Sequence, residues 1–186
     1  ATRKSRSSQP REASRQDARS PAHATHEERK PHRSASMASL MPPSATHVAE
    51  SAVIDASMDT VWALVRSMRF DWTDGVSSSG EATVGGAVTL TYGDGTTQLV
   101  QVVALSDLEH FVTYQLVSSS PAVTYSSALF KIEVKEITVS DAGPKVFIEW
   151  TTDFSNDASA AVVEDSRFKK RDGFKALAAY VAKASS

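Results

Sequence analysis

The chain has 186 residues, of which 41% are hydrophobic and 23% charged, so it is long enough for one domain with a substantial core. It contains no cysteine, which excludes disulfides, thiolate catalysis and cysteine metal ligands. Residues 1–36 carry nine Lys and Arg against four Asp and Glu, a net +5, whereas residues 37–186 carry eleven against eighteen, a net −7. An acidic domain disfavours nucleic acid as a partner. No apolar run reaches the roughly 18 residues of a membrane span, so we expect no such span.

Residues 1–45 are rich in Ser, Arg and Pro and poor in large apolar residues. Such a segment cannot bury enough surface to offset chain entropy, so we predict a disordered basic tail before one domain at 46–184. Several interpretations stay open for residues 1–36. They are an organelle-targeting segment, an arm that binds a protein partner, or sequence outside the native product, since Met37 suits a natural start. Without import we expect a cytoplasmic protein.

The domain opens with a weakly alternating segment at 46–54 that predicts a strand. A short helix is predicted over 58–68, because apolar residues recur there at helical spacing and Ser57 or Asp55 can cap its start. Phe70 and Trp72 follow in a polar loop. We interpret these two aromatic side chains as lids on the core.

Six further β-rich segments follow, at 76–82, 85–92, 96–105, 110–117, 122–134 and 145–154. The residues Gly93, Asp94 and Gly95 predict a hairpin turn, because Asp-Gly supplies the positive φ values that such turns need. An antiparallel meander is the simplest arrangement of these strands.

From Ala158 onward the sequence predicts helix, with an apolar stripe at Phe174, Leu177, Ala178 and Val181. Gly173 and the charged segment 169–172 predict a bend or two helical pieces, and we interpret Lys and Arg at 169–171 as a solvated face. The order of elements indicates an α+β fold, in which a strongly curved antiparallel sheet of about six to seven strands wraps around the C-terminal helix. A gap between helix and sheet would make a cavity for a small molecule.

Several stretches in this order resemble one known superfamily: VWALV after the first strand, Phe70 and Trp72, VGGAVTLTYGDGTT, the spacing of Tyr114, Pro121 and Tyr125, and IEWTTDF. Residues 46–183 are similar to the START and birch-pollen-allergen superfamily (SRPBCC), and within it to the polyketide cyclase/dehydratase-like branch that contains the lachrymatory-factor synthase. The resemblance implies a helix-grip fold. It also implies an internal cavity that holds lipids, sterols, polyketides, hormones or other apolar molecules.

Active members resembling that synthase carry an inward Arg and an inward Glu. The matching positions here are Val88, or Thr89 if the register slips by one, and Gln101. Valine carries no charge, and glutamine cannot act as a general base near neutral pH. The resemblance therefore favours binding or carriage of a small apolar molecule without catalysis. We predict no cofactor and no metal site, since no pair of histidines has zinc spacing.

An enzyme of cyclase, dehydratase or isomerase type is the alternative, with Tyr114, Tyr125 or Glu149 as weak acid/base candidates. Glu149 and Asp153 share a strand face, but the apolar face opposite is the better core candidate. A second alternative is an accessory subunit of a larger assembly, anchored by the tail. The predicted ligand-binding residues are Trp72, Val88, Leu90, Tyr92, Gln101, Tyr114, Tyr125, Trp150, Phe174 and Leu177.

Overall fold

The computed structural model describes residues 46–140 and 143–184. The predicted tail, residues 1–45, lies outside the described residues. In chain order the elements are β1 (His47–Ile54), α1 (Met58–Arg66), β2 (Val76–Gly80), β3 (Ala87–Tyr92), β4 (Thr97–Ser106), β5 (Phe111–Ser120), β6 (Ala128–Glu136), β7 (Val146–Phe154) and α2 (Ala160–Ala184).

All seven strands form one antiparallel sheet in the order β1-β7-β6-β5-β4-β3-β2. Strands β2 to β7 make the predicted meander, and β1 pairs with β7 from His47 opposite Asp153 to Ile54 opposite Val146. The hairpin between β3 and β4 closes with the Gly95 N–H donating to the Tyr92 carbonyl over 2.9 Å, and Gly95 has a φ of 86°. The predicted α+β architecture, a curved sheet with a long C-terminal helix, is confirmed.

Each strand alternates between a core face and an outer face. On β7 the core face carries Val146, Ile148, Trp150, Thr152 and Phe154. The main core cluster joins Val146, Ile148 and Trp150 to the C-terminal half of α2 and to α1. Helix α2 lies mainly along β1, while α1 packs under β5 and β6. The aromatic residues predicted as lids, Phe70 and Trp72, are buried in this cluster.

Helix α1 begins as expected at its Ser57 cap, whose hydroxyl accepts from the Thr60 N–H over 3.3 Å. It ends at Arg66, two residues before the predicted end. The reason is local backbone geometry: Met68 adopts a left-handed conformation with a φ of 53°, which cannot continue an α-helix.

Helix α2 is continuous from Ala160 to Ala184, so the prediction of two helical pieces near residues 169–173 is wrong. Two ion pairs along the helix support this segment: Lys169 with Asp165 at 2.7 Å and Lys175 with Asp172 at 2.9 Å. Gly173 is buried, and a Cβ built there would lie 3.3 Å from Cζ3 of Trp150. The missing side chain therefore permits a close approach of helix to sheet at this point.

Strand β6 begins at Ala128, six residues after the predicted start, because residues 121–127 form a loop. This loop is hydrogen-bonded to the segment that precedes α2. The Ser126 hydroxyl donates to Asp157 over 2.6 Å, and the Ser126 and Ser127 N–H groups donate to the Ser155 hydroxyl over 3.1 and 2.9 Å. These hydrogen bonds tie the loop to the segment that precedes α2. We call this set of contacts the loop tether.

No helix in the described ranges is long and apolar enough to cross a membrane.

The packing of α2 predicts unequal effects of two substitutions on that helix. Leu177 is fully buried, so Leu177→Ala should lower the free energy of unfolding by about 3 kcal/mol. Phe168 is 61% exposed, so Phe168→Ala should change it by less than about 0.5 kcal/mol. Urea denaturation followed by circular dichroism measures both. Equal losses in the two variants would contradict the placement of α2 on the sheet.

Candidate functional site

The described core is interrupted by polar residues at one level of the sheet. On the β6–β7 pair, Ile132 opposite Trp150 belongs to the main cluster, and Ala128 opposite Phe154 belongs to a second, smaller cluster. The pair between them is Phe130 opposite Thr152, and the Thr152 side chain is 0% exposed. A buried hydroxyl therefore separates two apolar regions on the inner face of the sheet.

Lys170 of α2 covers this break. Its side chain is only 3% exposed, and Nζ lies 5.4 Å from the centroid of the Trp150 ring and 5.7 Å from that of Phe130. The ammonium group donates one hydrogen bond, to the Ser166 hydroxyl one turn earlier on the helix, over 2.7 Å. We call Lys170, Trp150, Thr152 and Phe130 the polar break.

The ammonium group of Lys170 forms no ion pair with a carboxylate of the described residues. Burial lowers the pKa of Lys170 to about 8, because the charged form loses its hydration, while Glu50 opposes this shift from β1. The Glu50 carboxylate is already paired with two arginines: it accepts two hydrogen bonds from Arg171 at 2.8 and 3.1 Å and lies 3.7 Å from Arg167. Lys170 is therefore a buried cation without a contacting anion.

Two buried polar atoms of the polar break, Trp150 Nε1 and Thr152 Oγ1, make no hydrogen bond with any described residue. Burial raises the pKa of Tyr114 well above its usual range. The neighbouring Trp150 N–H opposes this rise, although it lies outside hydrogen-bonding geometry. Unmade hydrogen bonds of this kind cost about 1–3 kcal/mol each. The polar break thus has hydrogen-bonding capacity that the protein itself does not use.

The structure brings most of the predicted ligand-binding residues together. Trp72, Val88, Leu90, Tyr114, Phe174 and Leu177 are buried members of the main cluster, and Tyr92 and Trp150 pack against it. The Tyr92 hydroxyl donates to Gln98 over 3.0 Å, and burial raises the Tyr92 pKa to about 12. These residues fill the space between the sheet and the C-terminal half of α2, whereas the polar break lies beside the helix's middle.

Three predicted site residues lie elsewhere. Gln101 is on the outer face of β4, between the inward-facing Val100 and Val102, and accepts there from Gln115 over 3.1 Å. Glu149 is on the outer face of β7, which removes it from interior acid/base chemistry. Tyr125 lies in the loop before β6, with its ring 5.1 Å from that of Phe154 in the second cluster.

Lys170 and Thr152 were not predicted, and the interpretation of 169–171 as a solvated face is wrong for the middle residue. A signal was present in the helical spacing. Lys170 lies four residues before Phe174 and seven before Leu177, so the apolar stripe extended backward passes through it. A lysine on the buried stripe of a helix is unusual, because lysine is almost never fully buried without a partner.

Two surface grooves lie near these elements, one beside α2 and the other beside strands β5, β6 and β7. One, of about 270 Å³, lies between β1 and α2 beside Phe174 and Arg171. The other, of about 360 Å³, lies where β5, β6 and β7 meet, beside Ala128 and Phe154. Its lining includes the cross-strand row Gln115, Leu129 and Asp153, which faces outward from the sheet, whereas Thr152 faces inward. Within the described ranges no cluster of three or more His, Asp or Glu side chains could hold a metal ion.

Comparison with solved structures identifies the fold. XoxI from Bacillus cereus is 26% identical, with a TM-score of 0.65 over 75% of this chain and 98% of that one. A START superfamily protein from Mycobacterium smegmatis is 11% identical, with a TM-score of 0.59 over 74% of this chain and 98% of that one. The chain has the helix-grip fold. The major latex-like protein 151 of Panax ginseng shares it, at 15% identity and a TM-score of 0.57 over 72% of this chain and 95% of that one.

No protein-family model and no curated protein sequence matches the chain. The helix-grip fold that the resemblance implies is therefore confirmed by structure, while sequence comparison adds no activity.

Lys170 predicts a specific dependence of stability on pH. Its folded-state pKa of about 8 lies below the value of 10.5 for an ordinary lysine, so charging it opposes folding at pH 7. Between these two values the unfolded chain keeps a proton that the folded chain releases, so stability rises as pH increases. Lys170→Met should therefore raise the free energy of unfolding by about 2–3 kcal/mol at pH 7 and remove that rise.

Lys169→Met is the matched control, because Lys169 is 72% exposed on the same helix and should leave the rise intact. Urea denaturation at pH 7, 9 and 10.5 measures all three proteins. A loss of stability in Lys170→Met at pH 7 would contradict a buried cation without a contacting anion.

Proposed function

We propose that the protein binds a small, mainly apolar molecule between α2 and the sheet, and that it does so without catalysis. The observation that carries the proposal is the polar break. Trp150 Nε1 and Thr152 Oγ1 are buried without a partner beside a buried lysine. Natural proteins seldom leave such groups unpaired unless a ligand or ordered water completes them.

The apolar surroundings of the polar break suit a molecule with a hydrophobic body. Two of its own members, Phe130 and Trp150, are aromatic. Beyond Thr152 lie Phe154, Ala128 and Val163 of the second cluster. Ligand sites of this kind combine apolar walls with a few polar groups that fix orientation. A lipid, a polyketide or a related molecule has the corresponding chemistry.

The sequence resemblance supports the same function, because it implies a helix-grip scaffold that encloses apolar molecules. The polyketide cyclase/dehydratase-like branch is part of this proposal. Val88 stands at the position of that branch's inward Arg and faces the core here, so it offers only apolar contact. Gln101, at the position of the inward Glu, lies on the outer face of β4. This pair therefore supplies no proton-transfer chemistry.

Catalysis is the second candidate function, and one observation favours it. With a pKa of about 8, Lys170 is the buried described side chain able to gain and lose a proton near neutral pH. Tyr114 is the nearest hydroxyl for such chemistry, but its raised pKa keeps it protonated. A molecule released from the purified protein and returned to it would come back with a changed mass or, after an isomerisation or cyclisation, a changed chromatographic retention time if it is a substrate. It would come back unchanged if it is only carried.

Thr152→Val tests the binding site. Valine keeps the shape of threonine and removes the unpartnered hydroxyl, so the ligand-free variant should gain about 1 kcal/mol in free energy of unfolding. The same variant should retain less co-purified ligand in native mass spectrometry. Thr151→Val is the matched control, because Thr151 faces the outer side of the same strand and should change neither quantity.

A bare polypeptide mass for the wild type, together with no binding of apolar probes, would contradict the proposed function. Equal ligand retention by both threonine variants would instead move the binding site away from the polar break.

A further inference from the structure

The polar break contains more hydrogen-bond donors than acceptors. An ammonium group has three N–H donors, and Lys170 uses one of them on Ser166. The faces of the Trp150 and Phe130 rings attract the cation but replace an anion only weakly. The Trp150 N–H is a further donor without an acceptor, and the Thr152 hydroxyl is able to donate as well.

Among residues 46–140 and 143–184, no acid supplies the missing acceptor. Glu50 is the acid that acts on Lys170 through space, and it is held by Arg171 on the neighbouring side of α2. Asp165, one turn before Lys169, is paired with that exposed lysine. A buried cation is costly unless it is paired and hydrogen-bonded, so a ligand that brings an anion to Lys170 would remove this cost.

Resting on the proposed function, we infer that the ligand is a monocarboxylic acid with an apolar body, and that Lys170 selects it by pairing with the carboxylate. One buried cation suits one negative charge. Trp150 Nε1 and the Thr152 hydroxyl donate to the same carboxylate, since a carboxylate has about four acceptor positions for these donors. The apolar body extends toward Phe154 and Ala128 of the second cluster.

A neutral ligand of equal length is the direct comparison. Calorimetric titration of the full chain with decanoate and with 1-decanol, at pH 7 and below the aggregation of either probe, separates the contribution of charge from that of the apolar body. We expect decanoate to bind about tenfold more tightly or more, as hydrogen bonds to charged groups warrant. In Lys170→Met this preference should vanish, because decanoate binding weakens while 1-decanol binding stays unchanged.

Two further variants keep the test independent of folding defects. Lys170→Gln retains a hydrogen-bonding side chain without the charge and should also lose the preference for decanoate. Lys169→Met removes a lysine of equal charge from the exposed face of the same helix and should keep the preference.

Protonation gives a second readout that a merely structural lysine would not move. At pH 8 Lys170 is partly neutral, so a bound carboxylate should draw a proton onto it. The apparent binding enthalpy of decanoate should then vary with the ionisation enthalpy of the buffer, and this variation should disappear in Lys170→Met. Tyr114 and Tyr92, which face the same interior, stay neutral at pH 8 because their pKa values are raised, and Glu50 is paired with Arg167 and Arg171.

The outcomes separate the two proposals. If the wild type binds both probes equally, or if Lys170→Met keeps the preference for decanoate, the acidic ligand is overturned and small-molecule binding stands. If the wild type binds neither probe while remaining folded, the proposed function fails and the acidic ligand fails with it.

Discussion

The interior of this domain is arranged around a charge that water does not reach. Placing the Lys170 ammonium group under α2 requires a hydrogen-bonding partner one turn away, which Ser166 provides, and aromatic faces on the sheet, which Trp150 and Phe130 provide. It also divides the apolar core into two clusters on either side of Thr152. A sheet and helix selected for stability alone would continue the apolar stripe through this position.

The fold was predictable because its signals are local. Strand composition, the Asp-Gly hairpin and the helical stripe each depend on a few neighbouring residues, and they agree with one another. The site was less predictable because it depends on strand phase and on long-range contacts. Gln101 was assigned to the interior by its position in a motif, yet β4 turns Val100 and Val102 inward. Lys170 was dismissed because lysines usually lie in water, although the stripe through Phe174 and Leu177 includes it.

Binding and stability make opposite demands on the polar break. An empty site leaves the Trp150 N–H and the Thr152 hydroxyl unpaired and the Lys170 cation poorly hydrated. These unmet interactions lower the free energy of unfolding of the unliganded domain. A ligand that supplies acceptors recovers that energy, and its affinity includes the relief of these unpaired groups. The same arrangement discriminates against a molecule that lacks the polar group, because it would leave them unpaired.

The loop tether links two segments that are far apart in sequence, the loop 121–127 and the entrance to α2. Hydrogen bonds from the hydroxyls of Ser126 and Ser155 lower the pKa of Asp157 to about 2, so its carboxylate stays ionised in mildly acidic solution. The tether therefore holds across neutral and mildly acidic conditions alike. Because Tyr125 belongs to the tethered loop and packs on Phe154, the loop and the start of α2 must move together, and mild acidification would not separate them.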